Sequence, residues 1–206
     1  MTSSSLVIAL SAAAALTAAL PAQAQDTGSW LVRARAVHLD SRNADTTGFG
    51  LSINNKWLPE LDISYFFTPN LAAELVLTVP QKQTIHSSAV GADIGSFKHL
   101  PPTLTAQYHF TGLGAVRPYL GAGVNYTRLS SVEFSPAVAP LGLSLKRDSW
   151  GLALQAGLDY PLGGGWMLNA DLKKVQIGTT VYSKGADVGS FKVDPLLFGL
   201  GIGKRF

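Results

Sequence analysis

The sequence predicts an all-β chain, folded as a single eight-stranded antiparallel transmembrane β-barrel of outer-membrane type. Three observations carry this. Apolar residues recur at every second position in segments of about ten residues, the length a tilted strand needs to cross a bilayer. The connections between these segments alternate between short and long, as in outer-membrane barrels. The chain opens on an export pattern and closes on a strand in which Phe198, Leu200, Ile202, Lys204 and Phe206 alternate with Leu197, Gly199, Gly201, Gly203 and Arg205.

Residues 1–24 read as a secretory signal peptide. An apolar run over 6–20 is followed by Pro21-Ala22-Gln23-Ala24, a small-x-small cleavage pattern, so the mature chain is expected to start at Gln25. Met1 to Ser5 lack the usual Lys or Arg, and an N-terminal anchor helix is the alternative. Residues 25–206 are expected to form one barrel domain. The eight predicted strands are 30–39, 57–67, 71–79, 103–110, 117–127, 149–160, 166–177 and 191–206. The connections at 68–70, 111–116 and 161–165 are short and rich in Gly or Pro, whereas 40–56, 81–100, 128–148 and 178–190 are long and polar. An even number of strands puts both termini on the short-turn, periplasmic side.

One face of these segments is uncharged, with Val32, Ala34, Ala36, Leu61, Ile63, Leu75, Leu77, Leu120, Leu152 and Leu154 among its members. It is expected outside, because a charge at the lipid midplane costs roughly 2–4 kcal/mol. Aromatics cluster at both ends of that face: Tyr65, Phe67, Tyr108, Phe110, Tyr160, Trp166 and Phe206 at one, Trp57, Tyr126 and Trp150 at the other. Two such rims fit interfacial belts better than the cavity-lining face of a soluble lipocalin-type barrel. With no Cys, disulfides, zinc–thiolate sites and thiol nucleophiles are excluded, and the net charge of +3 with scattered Lys and Arg offers no nucleic-acid surface. No cofactor is implied.

One octapeptide nearly repeats: Gly91-Ala92-Asp93-Ile94-Gly95-Ser96-Phe97-Lys98 returns as Gly185-Ala186-Asp187-Val188-Gly189-Ser190-Phe191-Lys192. Two similar loop-to-strand passages, an old duplication, or a binding role for Asp93 and Asp187 would each account for it.

Three segments carry a resemblance: residues 98–110 (KHLPPTLTAQYHF), residues 117–127 (RPYLGAGVNYT), and Asp194-Pro195 leading to Gly201-Ile202-Gly203-Lys204-Arg205-Phe206. They are similar to the OmpW family of small outer-membrane barrels, which includes importers of alkanes and aromatic hydrocarbons. With the eight-strand layout, the likeness covers the mature chain. One departure is Lys204, where the family usually has Tyr two residues before the final Phe. The resemblance implies the outer membrane of a Gram-negative bacterium, and partners that are lipid, lipopolysaccharide and, during biogenesis, the barrel-assembly machinery.

The inward face divides into two halves. Arg33, Asp62, Glu74, His109, Asp159, Asn169, Asp171 and Arg205 fall in the periplasmic half. Unpaired buried charges are costly, so these groups are expected to pair into a plug that either only rigidifies the barrel or also gates it. The outer half carries Val37, Leu39, Leu58, Val76 and Leu197, an apolar funnel above the plug. Burial there favours a hydrophobic solute by about 25 cal/mol per Å² of apolar area. Pro80 and Pro101-Pro102 face each other at the outer end of one hairpin. Proline removes a ladder donor, so these residues either only end their strands or mark a lateral seam.

Some small outer-membrane barrels modify lipids. Of the histidines only His86, in His86-Ser87-Ser88, has a hydroxyl at a suggestive spacing, and it lacks a carboxylate nearby in sequence. His109 is expected to be structural, and His38 and His99 are expected at the outer rim. The expected function is passive uptake of small hydrophobic molecules, with a sealed structural or adhesion barrel, or a lipid-modifying enzyme, as alternatives.

Overall fold

The computed structural model describes residues 29–206, so the expected signal peptide lies outside the described residues. The strands in chain order are β1 Trp30–Asp40, β2 Ala44–Asp45, β3 Leu51–Ile53, β4 Lys56–Phe66, β5 Leu71–Thr78, β6 Gln81–Ser87, β7 Ala92–Leu100, β8 Thr103–His109 and β9 Arg117–Phe134. They continue with β10 Leu143–Leu145, β11 Asp148–Gly163, β12 Trp166–Val175, β13 Gly178–Ser183, β14 Ala186–Lys192 and β15 Leu196–Arg205. A short 3₁₀ turn covers Pro136–Leu141.

Eight of these strands close a ring in the order β1, β4, β5, β8, β9, β11, β12, β15 and back to β1, each pair antiparallel. Closure removes the sheet edges that a bilayer would not tolerate. The ring closes where β1 meets β15, with Ala34 opposite Ile202 and Arg33 opposite Gly203. Leu75, Leu104, Leu120, Leu152, Leu154 and Leu200 are exposed on the wall, while Arg33, Asp62, Glu74 and Gln107 are fully buried inside. Trp30 packs edge-on against Tyr65 at 4.9 Å at the periplasmic rim, and Tyr126 lies 4.8 Å from Trp150 at the outer rim. Lys204 points outward with its ammonium 4.8 Å from the Trp166 ring centroid, so the charge rests on the aromatic belt.

The long polar connections are not loops, and here the sequence expectation is corrected. β9 runs on past residue 127 to Phe134. The predicted last strand, 191–206, is two strands: Phe191 ends β14's buried face, and β15 starts only at Leu196, after Asp194 at φ 35° and Pro195. Hairpins β6–β7 and β13–β14 rise above the ring, the first paired with β9 and with β3, the second with β10 and β2. Ile85 and Phe97 of the first and Val181 and Phe191 of the second join Ile53 of β3 and Leu129 of β9 in one apolar core.

The octapeptide echo has a structural cause. In β6–β7 the register shifts between Ile85 and His86, and in β13–β14 between Val181 and Tyr182. Each shift leaves one repeat residue, Ile94 or Val188, without an opposite partner, a β-bulge in the same place of each copy. Each copy then delivers its phenylalanine, Phe97 or Phe191, into the shared core. Asp187 is used locally, its carboxylate accepting the Gly189 N–H at 2.9 Å, and Asp93 meets His86 Nδ1 at 3.0 Å.

Candidate functional site: a polar floor, a narrow cavity and an open ladder

The periplasmic half of the lumen is filled by a charge network centred on two arginines of β1. Arg33 reaches Asp62 and Glu74 at 3.0 Å each and Asp159 at 2.8 Å. Arg35, one pleat further out, contacts Asp62, Asp171 at 3.2 Å and Glu74 at 3.3 Å. Its Nε lies 3.2 Å from Glu60, close enough for ion pairing although the angle does not make an aligned hydrogen bond. Each guanidinium thus serves several carboxylates at once, which its five fixed donors permit. Gln155 donates to Glu74 and Asp171, and the Tyr119 hydroxyl donates to Asp171 at 2.7 Å.

Glycine makes room for these side chains. On the inward face of β15, a Cβ on Gly203 would lie 2.9 Å from Arg33 Cγ, and one on Gly201 would lie 2.1 Å from the Ala34 carbonyl oxygen and 2.7 Å from Arg35 Cγ. On β11, a Cβ on Gly157 would enter the Tyr119 ring.

The predicted plug residues fall within or beside this network. His109 hydrogen-bonds Gln107 at 3.0 Å and stacks on Tyr119 at 4.8 Å, and the Arg205 guanidinium lies 3.8 Å from the Phe66 ring centroid. Arg35, Glu60, Lys173 and Tyr119 also belong to the network, although none was among the predicted plug residues. Alternation already turned Arg35 and Lys173 inward, next to Arg33 and Asp171 on their own strands. Tyr119 follows the same rule, since it alternates with the outward Leu120.

Above the network lies a narrow cavity. Leu39, Leu58, Val76 and Leu197 line it together with Val175 and Ile177, and Glu60 and Lys173, paired at 3.2 Å, bound it on the network side. Val37 packs with Leu39 and Leu58. The free volume is about 30 Å³, room for roughly two waters. The cavity also touches Pro101 of the predicted proline seam and Thr78 and Gln81 on either side of Pro80, at the two lips of the wall.

At those lips the ladder is interrupted. β5 and β8 pair up to Val76–Thr103, and pairing resumes only with Gln81–His99 of β6 and β7. No register pair joins residues 77–80 to 100–102 among the described residues. Each lip is tied to its other neighbour instead. Thr78 Oγ1 donates to the Pro59 carbonyl at 2.8 Å on one side, and the Asn125 amide donates to the Pro101 and Pro102 carbonyls at 3.2 and 3.1 Å on the other. Pro80 stands in the gap between β5 and β6.

His86 has a carboxylate after all: the β6–β7 hairpin folds Asp93 onto it. The predicted loop is a strand, and its alternation separates the hydroxyl from the imidazole. His86 is exposed, whereas Ser87 is fully buried on the opposite face and donates to the Phe49 carbonyl at 2.7 Å. His38 sits beside Trp57 on the outer wall, but His99 is buried in the lumen, where burial and the Lys56 ammonium lower its pKa to about 4. Just outside the belt, the Tyr126 hydroxyl and the Arg128 guanidinium hold the Asp148 carboxylate below its usual range.

Known proteins share this architecture. "Outer membrane protein W" of Vibrio cholerae is 36% identical over 97% of this chain and 98% of its own length. "Dibenzothiophene metabolism operon protein PahQ" of Pseudomonas aeruginosa is 32% identical over 80% of this chain and 72% of its own. The crystal structure of the outer membrane protein OprG from Pseudomonas aeruginosa superposes with a TM-score of 0.75 at 26% identity, covering 87% of this chain and 96% of that one. Residues 26–206 match the OmpW family throughout, so this closed barrel of the Gram-negative outer membrane belongs to the OmpW family.

Proposed function

We propose that the barrel passes small hydrophobic molecules passively from the cell exterior into the outer membrane, through the cavity and out sideways between the proline-bearing lips. The observation that carries this reading is the break in the ladder at 77–80 and 100–102, lying directly against an apolar cavity. Passage straight down the axis would require dismantling the Arg33 and Arg35 pairs, whose separation leaves buried charges uncompensated. Release sideways meets Leu77, Val79 and Leu100, apolar side chains exposed on the wall beside the prolines. A relative named for dibenzothiophene metabolism supports an apolar, aromatic-sized solute. The narrow cavity must widen to admit one. The upper hairpins supply that freedom, because their second sheet, β10-β13-β14-β2, is open at both ends and can shift without breaking the ring. Assembly is expected to use the barrel-assembly machinery, with Lys204 tolerated on the Trp166 ring.

The test is naphthalene uptake by cells carrying the wild-type barrel or the double variant Pro80→Val, Pro102→Val. Restored backbone donors should close the ladder, seen as slowed amide exchange at 79–81 and 100–103, and uptake should fall about tenfold. Unchanged uptake through a closed ladder rejects the lateral route. The small free volume favours one competing reading, a sealed structural barrel. It requires that wild-type cells take up naphthalene no faster than cells without the protein.

A further inference from the structure

The polar side of the cavity contains an asymmetry. Thr78, Gln81, Thr103 and Asn125 each make a hydrogen bond within the protein: Thr78 to the Pro59 carbonyl, Gln81 to the Val79 carbonyl, and Asn125 to the Thr103 hydroxyl and two carbonyls. Glu60 and Lys173 hold each other. His99 differs. Its ring is 2% exposed and lines the same cavity, yet Nδ1 has no hydrogen-bond partner. On the adjoining strand, two residues beyond Gln81 on the same inward face, Gln83 is fully buried and neither its amide nitrogen nor its amide oxygen is paired. Buried polar atoms are almost always satisfied in folded proteins, and an unsatisfied one is destabilising. Three such atoms on one hairpin, β6–β7, above an apolar cavity are what a binding site for a polar group would present.

We propose that this cavity selects amphipathic solutes: molecules with an apolar body and a single uncharged hydrogen-bonding head such as a hydroxyl or carbonyl. The body occupies the surface made by Leu39, Leu58, Val76 and Leu197, and the head pairs with His99, with Gln83 as a second station nearer the exterior. A neutral imidazole suits such a head, because it offers one donor and one acceptor and adds no charge to an apolar space. A site built to pair a head group discriminates against the analogue that lacks it, since the polar atoms then stay unpaired. This inference rests on the uptake reading above and specifies its substrate class.

The experiment compares 1-octanol with n-octane, using the full mature barrel in proteoliposomes. Uptake of each is measured relative to barrel-free vesicles, which removes the difference in simple partitioning. The wild type is expected to favour 1-octanol by about tenfold, the worth of roughly one hydrogen bond. His99→Leu and Gln83→Leu should erode that ratio while n-octane uptake holds or rises, and His99→Gln should restore part of it. Independently of any variant's folding, the imidazole nitrogen signals of wild-type His99 should move on titration with 1-octanol and stay put with n-octane. Equal ratios in wild type and His99→Leu, with an unmoved imidazole, overturn this inference and leave hydrophobic uptake standing. If neither solute crosses faster than through barrel-free vesicles, the uptake reading falls and takes this one with it.

Discussion

The floor and the roof of this lumen are both buried, yet they cohere in opposite ways. The floor is held by directional contacts: two arginines, each placed among several carboxylates, with Gln155 and Tyr119 closing the remaining valences. The roof is held by Ile53, Ile85, Phe97, Leu129, Val181 and Phe191, whose contacts are non-directional. A charge network has one good arrangement, and any displacement strands a buried ion. An apolar core tolerates sliding and repacking at modest cost. Rigidity thus sits in the half held by charge pairs and plasticity in the half built from apolar side chains.

The sharpest way to break this contrast is Arg33→Leu. It leaves Asp159 without its arginine and Asp62 and Glu74 with Arg35 alone, and it should cost about 3–5 kcal/mol, read as a lowered urea midpoint for the whole barrel. Arg33→Lys should recover only part of this, because an ammonium lacks the planar fork. If Arg33→Leu unfolds at the wild-type midpoint, the floor is not the rigid half.

A second effect concerns acidity. His99 is neutral and buried, with a pKa lowered to about 4 against an unfolded value of 6.5. Between those values the unfolded hairpin binds more protons than the folded one, so acid destabilises it. The stabilisation is complete above pH 6.5 and is lost as pH falls toward about 4, by up to ~3 kcal/mol. Amide exchange in β6–β7, corrected for intrinsic rates, should therefore accelerate on acidification in the wild type more than in His99→Gln. The ring strands should show no such difference between the two proteins.

The smallest effect tests the plasticity of the roof. Ile85→Val removes one buried methylene and should cost about 0.5–1.5 kcal/mol, confined to exchange in β6, β7 and β3. A loss of that size spread over the whole ring would show that roof and floor unfold as one unit and would dissolve the contrast.

The contrast was half legible in the sequence. Lipid imposes strict alternation on the ring strands, so Leu152, Leu154 and Leu168 on one side and Gln155, Asp159 and Asn169 on the other announced both the strands and their orientation. The upper strands obey no such rule. Their outer faces meet water, and their alternation is broken by bulges at Ile94 and Val188, so they read as polar loops. Charges on the inward face foretold a network but not its membership. Strand tilt brings residues from different heights level with one another, which is how Arg35 reaches both Glu60 and Glu74. His99 was misplaced at the rim because the hairpin carrying it was not recognised as a strand. Once β7 is in place, alternation between Lys98 and Leu100 turns His99 inward.

The run of glycines on β15 bears on how the cylinder comes to be shut. β1 and β15 are the ends of the described chain, so their meeting is the most distant pairing in sequence among the described residues. Arg33 and Arg35 project across the bore from β1, directly opposite Gly203 and Gly201 of the closing ribbon. Gly199, Gly201 and Gly203 make that ribbon smooth on its inner side and studded with Phe198, Leu200 and Ile202 on its outer side. It is a zipper with teeth on one edge only, so the seam shuts around the two guanidinium stems with no side chain of its own in their way.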